Sequence, residues 1–452
     1  MNLNEVKSIY FIGIGGIGMS ALARYFLQKG VQVSGYDKTP SPLTGALQQE
    51  GACIVFEDDA RQAATQADLA VYTPAIPADS QLLNYYRQNG KPLYKRSELL
   101  QLLLEDYQVI AIAGTHGKTT ISAMTAYLLR EAHAGCHAFL GGIAANYNSN
   151  YWSSTAPVAV VEADEYDRSF LKLSPAIAVL SAMDPDHLDI YGTAEEMEQA
   201  FLAFTHKIKP AGTLLYKHGL HRHAEMGGDR KISYSLQNTA ADAFAQNIRQ
   251  EQGGYHYEVS GPGWLITGLY LPIGGMHNVE NSVAAITIAK LLGAEDQEIR
   301  SALKNFKGVK RRFEYVVKTR QHIFIDDYAH HPAELAALIH SAKRLFPDRK
   351  CVLAFQPHLY SRTRDLAEGF ARSLDLADEV LLLEIYPARE LPIPGISAQT
   401  IADQMANPVH TILSKEGLLD YVRVAKPQLF ITAGAGDIDR LVPAIKQILE
   451  EQ

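Results

Sequence analysis

Short apolar runs recur along the chain, each closed by glycine or acid and followed by a longer segment of mixed polarity. The runs are brief and rich in Val and Ile, so they read as buried strands; the segments between them read as amphipathic helices. The first is Ser8–Ile12, with a helix to about Lys29, a strand Val31–Tyr36 and a further strand Leu69–Val71. A second group comprises Val109–Ala113, Val158–Val161 and Ala176–Leu180. A third comprises Ile323–Ile325, Val352–Phe355, Val380–Glu384 and Leu429–Thr432. Such alternation predicts an α/β protein with mostly parallel sheets covered by helices. From Lys217 to Tyr270 the pattern blurs into short alternating stretches, expected to be peripheral strands, and Gly274–Asn281 then leads into a helix Ser282–Leu292. No fixed short period is present, which excludes a solenoid.

The grouping predicts three consecutive domains: a Rossmann-like N-terminal domain (1–106), a central doubly wound sheet of P-loop ATPase type (107–309) and a Rossmann-like C-terminal domain (310–452). A chain of 452 residues, 47% hydrophobic and 20% charged, is long enough for three cores. The net charge of −8 argues against a nucleic-acid partner. Three scattered cysteines (Cys53, Cys136, Cys351) suggest a reducing compartment without a disulfide framework. No apolar run is long enough to span a bilayer, and Ile9–Gly16 is too short and Gly-rich for a signal peptide. A cytoplasmic protein without membrane insertion is expected; oligomeric state is not legible.

Two joints carry phosphate-type chemistry. Gly114-Thr115-His116-Gly117-Lys118-Thr119-Thr120 follows a strand and opens a helix. Backbone N–H groups at a helix N-terminus, a Lys for the outer phosphates and a hydroxyl for Mg²⁺ are what a triphosphate needs. The general P-loop would place its first glycine at Ile112, so the fit is imperfect, and a bare Gly-Lys-Thr can be only a capped helix start. Gly13-Ile-Gly15-Gly16-Ile17-Gly18 sits in a βαβ context with Asp37 roughly 20 positions on, the dinucleotide fingerprint. Its structural alternative is a tight helix–strand crossing. The loop Tyr72–Pro77, with Thr73, lies where open parallel sheets place ligand-binding loops. Glu162 and His187 close the next two strands. Glu162 could supply a magnesium ligand or only a helix cap; a His among Asp184, Asp186 and Asp189 is more often a turn residue than a ligand. Two phosphate loops would fit a dehydrogenase–kinase fusion or a switch protein, but these leave the third block idle. Two large ligands meeting between domains, one ATP and one carrying a diphosphate, account for more.

The chain resembles the Mur ligases, ATP-dependent amide ligases of cell-wall peptide synthesis, over essentially its whole length. The resemblance rests on Phe11–Ser20, Gly114–Thr120, Glu162–Glu165 and Asp186–Asp189. It implies that Gly13, Gly15, Gly16, Ile17, Gly18, Asp37 and Thr73 serve a UDP-sugar rather than NAD. It further implies ATP on Gly114–Thr120, with Asn281, Arg312 and Asp327 also contacting nucleotide, and Mg²⁺ on Thr119, Glu162 and His187. Lys118, Glu162, His187 and His330 would carry the chemistry. Tyr328, His330, His358 and Arg362 would surround an incoming amino acid, an Arg suiting its carboxylate. The motifs fit best the activity that joins L-alanine to UDP-N-acetylmuramate through an acyl phosphate. Leu359 departs from the pattern, since many relatives carry a second Arg there, and no carbamylated lysine is assigned. Two alternatives stay open: a recycling ligase that adds an intact tripeptide to the same UDP-sugar, which Glu162–Asp167 resembles, and a nucleotide-binding redox or regulatory protein sensing NAD. His331 and Asp326 are as readily a helix start and a cap.

Overall fold

A computed structural model describes residues 3–185, 188–388 and 390–451. Three sheets succeed one another along the chain, as the alternation predicts. The fold divides into two compact units. One comprises Met1–Gln246, Glu258–Leu269 and Glu280–Leu303; the other comprises Asn247–Tyr257, Tyr270–Val279 and Lys304–Gln452.

In the first unit, five parallel strands lie in the order Cys53–Val55, Gln32–Tyr36, Ser8–Ile12, Leu69–Tyr72, Leu93–Lys95. Chain order reverses beside Ser8–Ile12, so the loops after it and after Leu69–Tyr72 diverge to leave a crevice at the strands' carboxyl ends. Those loops are the glycine turn and the Thr73 loop. The central sheet has at its heart the parallel strands Ile177–Leu180, Gln108–Ala113, Val158–Glu162 and His137–Ala144, in that order. Ser149–Trp152 closes one edge as an antiparallel neighbour. Beyond Ile177–Leu180 comes Thr213–Lys217, a strand the apolar pattern did not mark. The blurred region then supplies the other edge with Arg230–Ser235, Ala243–Glu251, Gly254–Gly261 and Trp264–Leu271, peripheral as expected. Buried Val, Ile and Ala dominate the heart of the sheet, as strands covered on both faces require.

One helix ties the first two sheets together. Ile17–Gln28 starts directly from the glycine turn and buries Met19, Leu22 and Phe26 in the core. Its Tyr25 ring packs against Phe139 and Tyr151 of the central sheet, with centroids 6.1 and 6.0 Å apart. Arg24, almost wholly buried, takes Glu50 as a bidentate partner at 2.7 and 2.9 Å and donates to the Asn150 side-chain oxygen. Asn150 in turn donates to the Ile17 carbonyl at 2.6 Å and Ser20 Oγ at 2.9 Å. Asn150→Ala would strand a buried guanidinium N–H and a helix carbonyl at once. Each such orphan costs about 1–3 kcal/mol, so a loss of about 2–4 kcal/mol is expected in urea unfolding monitored by tyrosine and tryptophan fluorescence; an unchanged midpoint would contradict it.

The second unit is built on six strands in the order Glu314–Lys318, Ile323–Asp327, Leu429–Ala433, Cys351–Phe355, Glu379–Leu383, His410–Leu413. The first pair is antiparallel and the others parallel. Two expectations are corrected here. The strand from Ile323 continues through Asp327, so Asp326 is no cap: it is 1% exposed, accepts a hydrogen bond from Thr432 Oγ1 at 2.6 Å and faces Arg311 Nε at 3.3 Å. The helix expected from Ser282 begins at Met276, because Asn278 Nδ2 donates to the Gly274 carbonyl at 2.7 Å and its polar first turn hides the start.

Candidate active site

Local sequence shapes the phosphate loop. Gly114, at φ +125°, ends the strand Gln108–Ala113; Gly117, at φ +83°, caps the helix Lys118–Glu131. A Cβ on Gly114 would lie 2.3 Å from Ser181 Oγ and 2.7 Å from the Ala182 nitrogen, so the loop is pressed onto the strand Ile177–Leu180 and its extension. Thr115 N donates to the Ala182 carbonyl at 3.3 Å, and Thr115 Oγ1 accepts from Asp184 N at 3.2 Å. His116 stands outward, 3.5 Å from Asp184. Asn281 flanks the loop, its side-chain oxygen 2.8 Å from where a Gly117 Cβ would be.

Three charged groups meet over this loop. Lys118 Nζ donates to the Gly114 carbonyl and to Glu165 Oε1, both at 2.7 Å. Thr119 Oγ1 donates to Glu162 Oε1 at 3.1 Å, while the Gly141 N–H donates to Glu162 Oε2 at 3.0 Å. Burial pushes the Glu162 carboxyl up, against the pull of Lys118 and Thr119. Thr120, next in the helix, is buried. Asp186 and His187 lie outside the described residues, so the proposed His187 ligand has no position here. Among the described residues no group of three or more His, Cys, Asp or Glu side chains is gathered to hold a metal. Thr119 and Glu162 offer two adjacent hard oxygens. That suits Mg²⁺, which keeps several waters and takes phosphate oxygens alongside one or two protein ligands.

A cavity of about 360 Å³ lies between the glycine turn and the central sheet. Gly16, Ile17 and Gly18 line one side, Thr73 a second, and Glu162 and Asp164 a third. Gly13 turns at φ +90° and packs on the Thr73 methyl. Asp37 differs from the expected open ribose ligand: its Oδ2 accepts from Gly15 N at 2.8 Å, and its Oδ1 from Thr39 N at 3.2 Å. It therefore also shapes the turn. Arg96, overlooked in the sequence, lines the same cavity, its guanidinium 2.9 Å from the position of a Gly18 Cβ and 3.9 Å from Asp164. A signal existed: Arg96 opens the helix Arg96–Leu104, and a cation at that positive end is unfavourable unless an anion faces it.

The second unit assembles its own constellation. Asp327 accepts from Phe313 N at 2.6 Å and Ala329 N at 2.7 Å; burial raises its carboxyl while Arg312 lowers it. The Arg311 and Arg312 guanidiniums both lie over the Tyr328 ring, 5.1 and 5.4 Å from its centroid. Tyr328 meets His330 edge-on at 5.1 Å. His330 Nδ1 approaches the Tyr328 carbonyl at 2.9 Å, and burial holds its pKa down. His358 stacks on Tyr386. Burial, then Arg362 and His330, lower its pKa to about 4. Tyr328, His330, His358 and Arg362 thus come together as expected. His331 caps the helix Pro332–Leu345, its N–H donating to Glu334 at 3.2 Å, which is the helix start anticipated for it.

His358 sets a pH dependence. Its folded pKa lies below the ordinary 6.5, so its stabilising contribution is present above 6.5 and is lost as pH falls toward 4. His358→Gln is expected to flatten the decline of melting temperature between pH 6.5 and 4; parallel curves for parent and variant would refute the assignment.

Comparison with known proteins bears on what these sites serve. Residues 8–108 match the description Mur ligase family, catalytic domain; residues 112–289 match Mur ligase middle domain; residues 311–436 match Mur ligase, glutamate ligase domain. The chain is 47% identical to a UDP-N-acetylmuramate–L-alanine ligase of Porphyromonas gingivalis, covering 98% of this chain and 99% of that protein. It is 48% identical to the enzyme of that name from Parabacteroides distasonis, covering 100% and 99%. The crystal structure of UDP-N-acetylmuramate–alanine ligase from Thermotoga maritima superposes with a TM-score of 0.83 at 28% identity, covering 97% of this chain and 98% of that one.

Proposed function

The chain belongs to the Mur ligase family, and from that premise we propose that it joins L-alanine to the carboxylate of UDP-N-acetylmuramate with ATP. The similarity to alanine-adding enzymes across both full lengths favours this over tripeptide recycling. The structural observation that carries it is a single cavity lined by both the glycine turn and Glu162, which itself bonds the Thr119 of the phosphate loop. One substrate's acid end and the other's phosphate tail can therefore meet.

A carboxylate resists attack by an amine, so it is first activated. A carboxylate oxygen of the muramyl group attacks the γ-phosphorus, the bond to the β-phosphate oxygen breaks, and ADP leaves. The L-alanine nitrogen then attacks the acyl carbon, losing a proton, and the tetrahedral intermediate expels phosphate as the amide forms. Bringing two anions together requires positive charge, which Lys118 and the N–H groups at the start of its helix supply. Thr119, Glu162 and His187 would hold Mg²⁺, whose charge offsets that of the phosphates. Arg312, Asp327 and Asn281 are assigned to the nucleotide; Gly13–Gly18, Asp37, Thr73 and Arg96 to the UDP-sugar; Tyr328, His330, His358 and Arg362 to L-alanine. With Leu359 uncharged, Arg362 is the cation we assign to the alanine carboxylate. The division of labour follows the three segments 1–106, 107–309 and 310–452, and a cytoplasmic location fits soluble nucleotide substrates; among the described residues no helix is long and apolar enough to cross a membrane.

Phosphate release with ATP, Mg²⁺ and UDP-N-acetylmuramate tests the reading. L-Alanine is expected to drive turnover and the tripeptide to leave it at background. The reverse order would move the chain to the recycling reaction, and NADH binding without turnover would point to a redox or sensing role.

A further inference from the structure

Lys118 and Glu165 form a nearly buried ion pair whose second carboxylate oxygen does no visible work. Glu165 is 1% exposed and Lys118 13%, with Nζ 2.7 Å from Oε1. Glu165 Oε2 is buried and, among the described residues, has no hydrogen-bond partner. The segment carrying Glu165 is fixed by Tyr191, whose hydroxyl donates to the Glu165 carbonyl at 2.6 Å. Just beyond, Asp167 and Arg168 adopt left-handed backbone at φ +55° and +53°, unusual for side chains of this kind. The carboxylate is thus delivered to Lys118 by a constrained turn.

An ammonium has three N–H donors. Two of those on Lys118 are already committed, to the Gly114 carbonyl and to Glu165. Bridging the outer phosphates of a triphosphate takes two donors, so one present bond must yield. We propose that Glu165 is a positioning residue that competes with nucleotide phosphates for Lys118: it holds the ammonium over the loop, releases it to the triphosphate and reclaims it once the γ-phosphoryl group has left, easing departure of ADP. The proposal rests on the phosphate-loop reading above and names a residue that reading leaves idle. Neither the magnesium ligands nor the cavity lining accounts for a carboxylate buried this deeply beside the loop lysine.

The test is calorimetric titration of the full chain with inorganic tripolyphosphate and with ADP. Glu165→Gln is expected to bind both about tenfold more tightly than the parent, corresponding to about 1.4 kcal/mol, and to turn over more slowly because ADP lingers. In a Lys118→Met background the same Glu165→Gln change is expected to leave affinity unchanged, which separates competition for the ammonium from simple removal of a negative charge. Glu165→Asp, with a reach shorter by one methylene, is expected to tighten binding in the same direction and serves if the Gln variant fails to fold. Unaltered or weaker binding in the folded Glu165 variants, or equal tightening without Lys118, would overturn the proposal. Failure of the parent itself to bind tripolyphosphate or ATP would instead overturn the phosphate-loop reading beneath it.

Discussion

Lys118→Ala is expected to make no detectable amide product while binding UDP-N-acetylmuramate as the parent does. In the proposed mechanism the ammonium faces charge that develops during phosphoryl transfer, and removing one such preorganised group typically costs about 10²–10³ in kcat. Because the transferred group is itself an anion meeting another anion, the upper end of that range or beyond is expected here. The side of the cavity proposed for the UDP-sugar is lined by Gly16–Gly18, Thr73 and Arg96, whereas Lys118 bonds Gly114 and Glu165, so affinity for that substrate should survive. A structural consequence accompanies the kinetic one. The variant leaves Glu165 buried and unpaired, and breaking such a pair from one side costs about 3–5 kcal/mol. Adding Glu165→Gln should restore much of the melting temperature without restoring turnover, because stability depends on the pair and chemistry on the cation. Product formation near the parent rate in either variant would refute the role given to Lys118.

Gly114→Ala is expected to be the most damaging single methyl in the loop. The position has φ +125°, which an L side chain rarely adopts, and the new Cβ would fall within 3 Å of Ser181 Oγ and of two backbone nitrogens. The hydroxyl can rotate away, but the backbone of Ser181 and Ala182 cannot without opening the strand pairing Ile177–Leu180 with Gln108–Ala113. Strain at such sites costs about 1–3 kcal/mol, and overpacking adds about 1–3 kcal/mol more. The loop should relieve it by moving, which misplaces Lys118 and Thr119 together. ATP affinity measured by calorimetry should fall by at least about tenfold, with a parallel drop in melting temperature. Normal ATP affinity in this variant would show that the loop does not cradle phosphates.

Much of the fold was legible because buried parallel strands write themselves as unbroken apolar runs. Gln108–Ala113, Val158–Glu162 and Cys351–Phe355 are examples, found within a residue or two. The elements missed were those with mixed faces. His137–Ala144 contains two glycines and pairs on one side with the antiparallel edge strand, so no apolar run marks it. Glu314–Lys318 and His410–Leu413 are edge strands with polar ends, and an edge needs to be apolar on little of its surface. The site divides along the same line. Lys118, Thr119 and Glu162 were readable because a strand end, a glycine turn and a helix start specify their position. Glu165 and Arg96 were not, since what matters about each is the partner that folding brings from distant sequence: a lysine 47 positions away for one, a glycine turn far upstream for the other. Asp326 misled for the converse reason. Its acid looked like a loop residue until the strand was seen to continue and to pair it with Arg311 and Thr432.

The helix Ile17–Gln28 belongs equally to two sheets, with Arg24 and Tyr25 spent on the central one. The first hundred residues are therefore not a detachable module: cut free, they would keep the Arg24–Glu50 pair but lose the Asn150 acceptor of Arg24 and carry a bare aromatic face into water. Replacing that piece without disturbing the seam would require replacing the paired strands that receive it as well, so the glycine turn at the head of the helix is mechanically tied to the sheet that carries the phosphate loop.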